Sequence, residues 1–170
     1  MSSNTIRLAG IVKESIVDGP SIRFTIFVQG CPHSCIGCHN PQTHDFSQGT
    51  QTDIQDIISE IEKMPYISGI TFSGGEPFCQ AEGLYNLAVK LKQMGKHLMA
   101  YTGYTFEELL AKNDKYINLL LGELDLLVDG RFEQDKKSLD LKFRGSSNQR
   151  ILDVKKSLMA DSPIWAEQYK

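Results

Sequence analysis

Four cysteines, six prolines and one tryptophan are all that this chain of 170 residues carries of those types, and its formal net charge is only −3. Each shortage excludes something. So small a charge gives no electrostatic case for nucleic acid binding. No apolar run approaches the length of a membrane span, and Met1-Ser2-Ser3-Asn4-Thr5 lacks the charged-then-apolar order of a signal region. A reducing, cytoplasmic setting without membrane attachment is therefore expected. No internal repeat and no low-complexity linker is visible, and the length allows one substantial core but not two ordinary domains. A single domain spanning 1–170 is expected.

Three of the four cysteines fall within eight residues, Cys31-Pro-His-Ser-Cys35-Ile-Gly-Cys38, directly after an alternating apolar run. The clustering argues against a disulfide framework and for metal ligation. Three thiolates on one loop can grip one metal centre. Ordinary cubane electron carriers take four thiolates, so a three-cysteine loop suggests an iron-sulfur cluster with one iron open to a ligand that is not protein. The alternative is a Cys3His zinc site with His39 as fourth ligand, the mark of a zinc-stabilised interaction module. Structural zinc sites usually draw their ligands as pairs from separated segments, and His39 adjoins Cys38 awkwardly, so the spacing favours the cluster. The remaining cysteine, Cys79, reads as a small buried apolar residue.

Downstream, the apolar stretch Ile67 to Phe72 runs into Ser73-Gly74-Gly75-Glu76-Pro77. Paired glycines at a strand end let backbone approach a ligand with no Cβ in the way. Together with the cysteine loop, this segment resembles the radical S-adenosylmethionine superfamily. Asp18-Gly19-Pro20-Ser21-Ile22-Arg23 and the strand into Cys31 are similar to the activases that install glycyl radicals. Val128 to Phe132 and Phe143 to Arg150 are similar to the branch that serves anaerobic ribonucleotide reductase. Ser21 is a departure, since these activases commonly carry glycine there.

The resemblance implies one 4Fe-4S cluster held by Cys31, Cys35 and Cys38. It implies S-adenosyl-L-methionine bound beside it by Gly37, Cys38 and His39, with Gly74, Gly75 and Glu76 on the methionyl part. The implied activity is reductive cleavage of that cofactor to a 5'-deoxyadenosyl radical, which takes hydrogen from a glycine of the partner. The partner would be the large subunit of anaerobic ribonucleotide reductase, a glycyl radical enzyme, with another such enzyme or a small-molecule substrate as alternatives. Four cysteines leave none for a second cluster module, so electrons would come from a separate donor such as flavodoxin or ferredoxin. No acid–base residue is required for the hydrogen abstraction. Gly75→Val is expected to weaken cofactor binding while leaving the cluster in place.

Periodicity supplies the scaffold. Ile22, Phe24, Ile26 and Val28 alternate with polar neighbours as a half-buried strand that delivers the cysteine loop. Ile54, Ile57, Ile58, Ile61 and Met64 repeat at helical spacing behind Thr52 or Asp53 as cap, and Pro65 ends the run. A strand over Ile67 to Phe72 follows, then a helix striped by Leu84, Leu87, Ala88 and Leu91 and closed by Gly95. His97 to Tyr101 reads as a strand, Phe106 to Leu110 opens a helix, and Ile117 to Leu121 reads as another despite poor periodicity. Leu124 to Val128 and Ile151 to Val154 are the last strands. The alternation predicts an α/β fold, a parallel sheet curved into a partial (β/α) barrel, with ligands at the carboxyl ends of its strands. Thr102, following one such strand, would face the cofactor. His33 and His44 flank the cysteine loop and could support its ligands from behind, though exposed loop histidines are the commoner case, while Arg144 and Arg150 could clamp a carboxylate or dock a partner.

Overall fold

The computed structural model describes residues 3–170, so Met1 and Ser2 of the expected domain lie outside the described residues. Its strands are β1 (Thr5–Ser15), β2 (Arg23–Val28), β3 (Thr50–Asp53), β4 (Gly69–Gly74), β5 (His97–Tyr101), β6 (Leu126–Asp129) and β7 (Arg150–Asp153). They form one sheet in the order β3-β1-β2-β4-β5-β6-β7. The helices are α1 (Ile54–Glu62), α2 (Ala81–Gln93), α3 (Phe106–Ala111), α4 (Lys115–Glu123) and α5 (Val154–Ala160).

The sheet is mixed, which corrects the wholly parallel expectation. The centre, β2-β4-β5-β6, is parallel. Its flanks are antiparallel: β1 runs against both β2 and β3, and β7 runs against β6. The short connection between β1 and β2 has no room for a crossover helix, and only an antiparallel neighbour can be reached that way. The edge strands β3 and β7 do not pair, so the sheet stays open. β1 and β3 are not among the expected strands, although Ile6 and Leu8 of β1 alternate with Thr5 and Arg7 and are buried. β3 reads Thr-Gln-Thr-Asp and is mostly exposed, a strand made by its partner β1 rather than by its own side chains.

Alternate residues of the central strands face two different surroundings. Phe24, Ile26, Ile70, Phe72, Leu98, Ala100 and Leu127 join Ile57, Ile61, Leu84, Leu87, Leu109 and Leu120 of the helices in the main core. Their neighbours Met99, Leu126, Val128 and Ile151 form a smaller cluster with Tyr101, Phe143, Ala166 and Tyr169. Helices thus cover one face, while loops and the last residues cover part of the other. The caps follow the sequence: Asp53 accepts from Gln55 N at 2.7 Å, and Thr105 with Glu108 makes a capping box on α3. Ile117, Leu120 and Leu121 are the buried stripe of α4, at the i, i+3, i+4 spacing of one helix face.

A buried guanidinium braces this framework. Arg23, 1 % exposed, donates to Thr71 Oγ1 at 2.7 Å, Ile70 O at 2.9 Å and Pro20 O at 3.0 Å. Burial pulls its pKa down to about 10, and the bonds hold the loop between β1 and β2 against β4. Within that loop Ser21 lies at φ 66°, the left-handed region that favours glycine. The departure noted in the sequence is thus a residue carried at a conformational cost.

Candidate active site

Four adjacent parallel strands end on one edge, and each ends in a segment that the cavity touches. β2 leads to Cys31, β4 to Gly74 and Gly75, β5 to Thr102 and Gly103, and β6 to Gly130. The cavity of about 580 Å³ between them is also lined by Cys35, Cys38, His39, Phe132, Arg144 and Gln149. That volume is in the range of small-molecule sites.

The cysteine loop has no regular structure, and its ends are tied down by backbone. Gly30 N donates to Thr43 O at 2.7 Å and Cys31 N to His44 O at 3.1 Å. Gln29 Nε2 adds bonds to Gln42 O and Asp45 O. All three thiols line the cavity, and Cys79 does not. Burial, with further contributions from Glu76 and the neighbouring cysteines, raises the Cys31 thiol above its ordinary pKa. Among the described residues no three Cys, His, Asp or Glu side chains are grouped to grip a metal ion as they stand. As a donor set, three thiols on an irregular loop against one cavity fit a cluster with an open position.

The glycine turn meets that loop through backbone. Gly75 N donates to Val28 O at 2.7 Å and Glu76 N to Gly30 O at 2.8 Å. Gly74 lies at φ +92°, and a Cβ there would sit 2.5 Å from Val28 N. The turn therefore needs its glycines twice, for conformation and for close packing.

Two of the expected contact residues, Gly37 and Glu76, are not on the cavity wall. Gly37, at φ +76°, is absent from the cavity wall, and a Cβ there would lie 2.9 Å from Gln134 Cδ. The Glu76 carboxylate is wholly buried and committed inward, so any cofactor contact by this residue falls to its backbone. It accepts from Phe78 N at 3.0 Å, Gly103 N at 2.8 Å, Thr102 Oγ1 at 2.8 and 3.0 Å, and lies 2.7 Å from His33 Nε2. His33 is therefore no exposed loop residue. Only its place between two cysteines hinted at this in the sequence. Thr102, Cys38 and His39 do line the cavity, His39 beside Phe132 with ring centres 5.0 Å apart. Cys79 is exposed, against the expectation of burial, because it sits on the outer side of the turn into α2.

The two arginines part company. Arg144 lines the cavity, donates to Gln149 O at 2.8 Å and lies 5.2 Å from the Trp165 ring. Arg150 is a structural cation: it bonds Asp129 through Nε at 3.0 Å and Nη2 at 2.5 Å, and Glu107 at 2.7 Å. These carboxylates raise its pKa further, and it in turn lowers that of Glu107. Asp129 is 1 % exposed and also accepts from Phe106 N. Arg150→Met is expected to cost about 2 kcal/mol, less than a fully buried pair because the guanidinium is partly solvated. Urea unfolding measures this, and an unchanged midpoint would contradict it.

Comparison with known proteins agrees with this arrangement. Residues 17–152 match the model of the 4Fe-4S single cluster domain. The anaerobic ribonucleoside-triphosphate reductase-activating protein of Pasteurella multocida is 38 % identical, over 80 % of this chain and 90 % of the relative. The protein of that name from Escherichia coli is 36 % identical over 80 % and 91 %, and that of phage T4 34 % identical over 79 % and 86 %. Among solved structures, QueE from Escherichia coli superposes with a TM-score of 0.48 at 19 % identity over 59 % of this chain and 53 % of that one, too loosely to bear on function. A cysteine loop and a glycine turn on one strand edge, with matches along most of the sequence, place this chain in the 4Fe-4S single cluster family, among the anaerobic ribonucleoside-triphosphate reductase-activating proteins.

Proposed function

We propose that this chain activates an anaerobic ribonucleoside-triphosphate reductase from the cavity at the carboxyl edge of β2, β4, β5 and β6, and that the reductase subunit bearing the acceptor glycine is its partner. The carrying observation is that Cys31, Cys35, Cys38, Gly74 and Gly75 line one cavity. The open sheet, with helices on one face and the cavity against the other, is read as a partial barrel.

When bound, the 4Fe-4S cluster and S-adenosyl-L-methionine supply one-electron reductive cleavage and, from it, hydrogen abstraction from glycine. The protein's part is holding and shielding. Cys31, Cys35 and Cys38 hold the cluster. The Gly75 N–H is spent on Val28 O at the end of β2 and the Glu76 N–H on Gly30 O beside the cysteine loop, so the turn's carbonyls are what it offers a ligand, acceptors suited to the methionyl ammonium. Thr102 and His39 line the same cavity and would border the cofactor there, and the Phe132 and Phe143 rings on its wall would limit water beside it. No side chain is assigned a proton transfer. An external donor such as flavodoxin or ferredoxin supplies the electron. Among the described residues no helix is long and apolar enough to cross a membrane. The zinc alternative gives way to the 4Fe-4S family match.

The test is an anaerobic mixture of the protein, reductant, S-adenosyl-L-methionine and reductase, read by electron resonance. A glycyl doublet is expected, and none when the acceptor glycine is replaced by alanine. Absence of the doublet with an intact cluster and competent reductase would overturn the assignment of partner.

A further inference from the structure

We propose that His33 is a positioning residue that fastens the cysteine loop to the glycine turn through the buried Glu76 carboxylate, so that the cluster and the methionyl site keep one fixed relation. This rests on the functional reading above and extends it to a residue of the cavity wall to which that reading gave no role.

The geometry is specific. The His33 and Glu76 side chains are 4 % and 0 % exposed, and with its proton on Nε2 the ring donates to Glu76 Oε2 at 2.7 Å. The ring has no other place to go. A Cβ on Gly103 would overlap His33 Cδ2 and lie 2.6 Å from Nε2, and the Tyr104 ring meets the imidazole edge-on with centres 4.5 Å apart. Glu76 joins the ends of three strands: His33 follows β2, Glu76 itself follows β4, and Thr102 and Gly103 follow β5.

Glu76 does not need His33 in order to be satisfied. Phe78 N, Gly103 N and Thr102 Oγ1 already give the carboxylate a donor for each oxygen, as a buried carboxylate requires. What His33 adds is a side-chain tie from the middle of a loop whose own backbone bonds are few. Within 31–38 the loop's backbone bonds are Cys31 N to His44 O and Cys38 N to Cys35 O. Between Cys31 and Cys35 this imidazole is the side chain that bonds to the turn after β4. Groups one step removed from a metal's ligands commonly change affinity or activity by about 10–100-fold when removed.

The test compares His33→Ala and His33→Gln with the unaltered protein, since a glutamine amide can place its nitrogen near Nε2. In metal-free protein, hydrogen exchange at Cys31 and Cys38 is expected to accelerate in the alanine variant and to return toward the original rate with glutamine. In reconstituted protein, iron content is expected to hold in both. The change that S-adenosyl-L-methionine makes in the reduced cluster's resonance spectrum is expected to need about tenfold more cofactor in the alanine variant and not in the glutamine variant. Original exchange rates and cofactor affinity in His33→Ala would overturn the proposal, as would a glutamine variant no better than alanine. If His33→Ala loads no iron, the glutamine variant decides by the same comparison. A cofactor effect missing even in the unaltered protein would count against the functional reading, and the metal-free exchange result would still decide the role of His33.

Discussion

Replacing any one of Cys31, Cys35 or Cys38 by alanine is expected to abolish iron binding and cofactor cleavage together, while Cys79→Ala does neither. The three thiols line one cavity on one loop, and a cluster held by three ligands has none to spare. Cys79 lies outside that wall and is exposed. The main core contains no residue of 31–38, so the three variants are expected to keep their far-ultraviolet dichroism and unfold cooperatively. Iron and sulfide per chain after anaerobic reconstitution, with cleavage rate, is the measurement. A Cys35→Ala protein with full iron would remove the ligand assignment.

Gly75→Val has the second large expected effect, and the geometry changes its character. From sequence, the substitution was expected to spare the cluster and weaken only the cofactor. In the structure a Cβ at Gly75 would collide with Gly30 O and lie 2.8 Å from the Gly30 carbonyl carbon, one residue before Cys31. Backbone cannot swing aside as a flexible side chain does. The bonds from Gly75 N to Val28 O and Glu76 N to Gly30 O would both be strained, and the cysteine loop would shift with them. Iron loading and cofactor binding are therefore expected to fall together, with stability lower by about 3 kcal/mol, the upper end of ordinary overpacking. Full iron with selective loss of cofactor affinity would show that the two strand ends move independently.

Much of the site was legible because it depends on residue type at fixed spacing. The spacing of Cys31, Cys35 and Cys38 points to one centre wherever the loop sits, and all three line one cavity, while Gly74-Gly75 points to the close backbone approach found against Val28 and Gly30. The helices were equally plain, since Ile54 to Ile61 and Leu84 to Leu91 each bury one stripe. What escaped depends on partners distant in sequence. β3 is polar and exists because β1 pairs with it. Glu76 reads in the sequence as part of a glycine turn, and that its carboxylate meets residues 33, 78, 102 and 103 is a convergence no local pattern records. Gly37 shares the cysteine loop, yet it lies off the cavity wall, and a Cβ there would meet Gln134. Arg150 has the chemistry of an anion receptor, and only the position of Asp129 and Glu107 shows that it is already occupied.

The cysteine loop's place outside the core also bears on how the mature protein is made. A zinc finger is unfolded until its metal arrives, because the metal replaces a core. Here Phe24, Ile26, Ile70 and Phe72 pack against α1 and α2 whatever the thiols hold. Yet the loop and the glycine turn come together only once β2 and β4 pair, with Val28 opposite Gly74 across some forty-five intervening residues. The order of manufacture follows: chain first, inorganic part afterwards, delivered through the open mouth to a finished fold. Loss of the cluster to oxygen would then silence the molecule without destroying it, leaving a scaffold that iron and sulfide can refill.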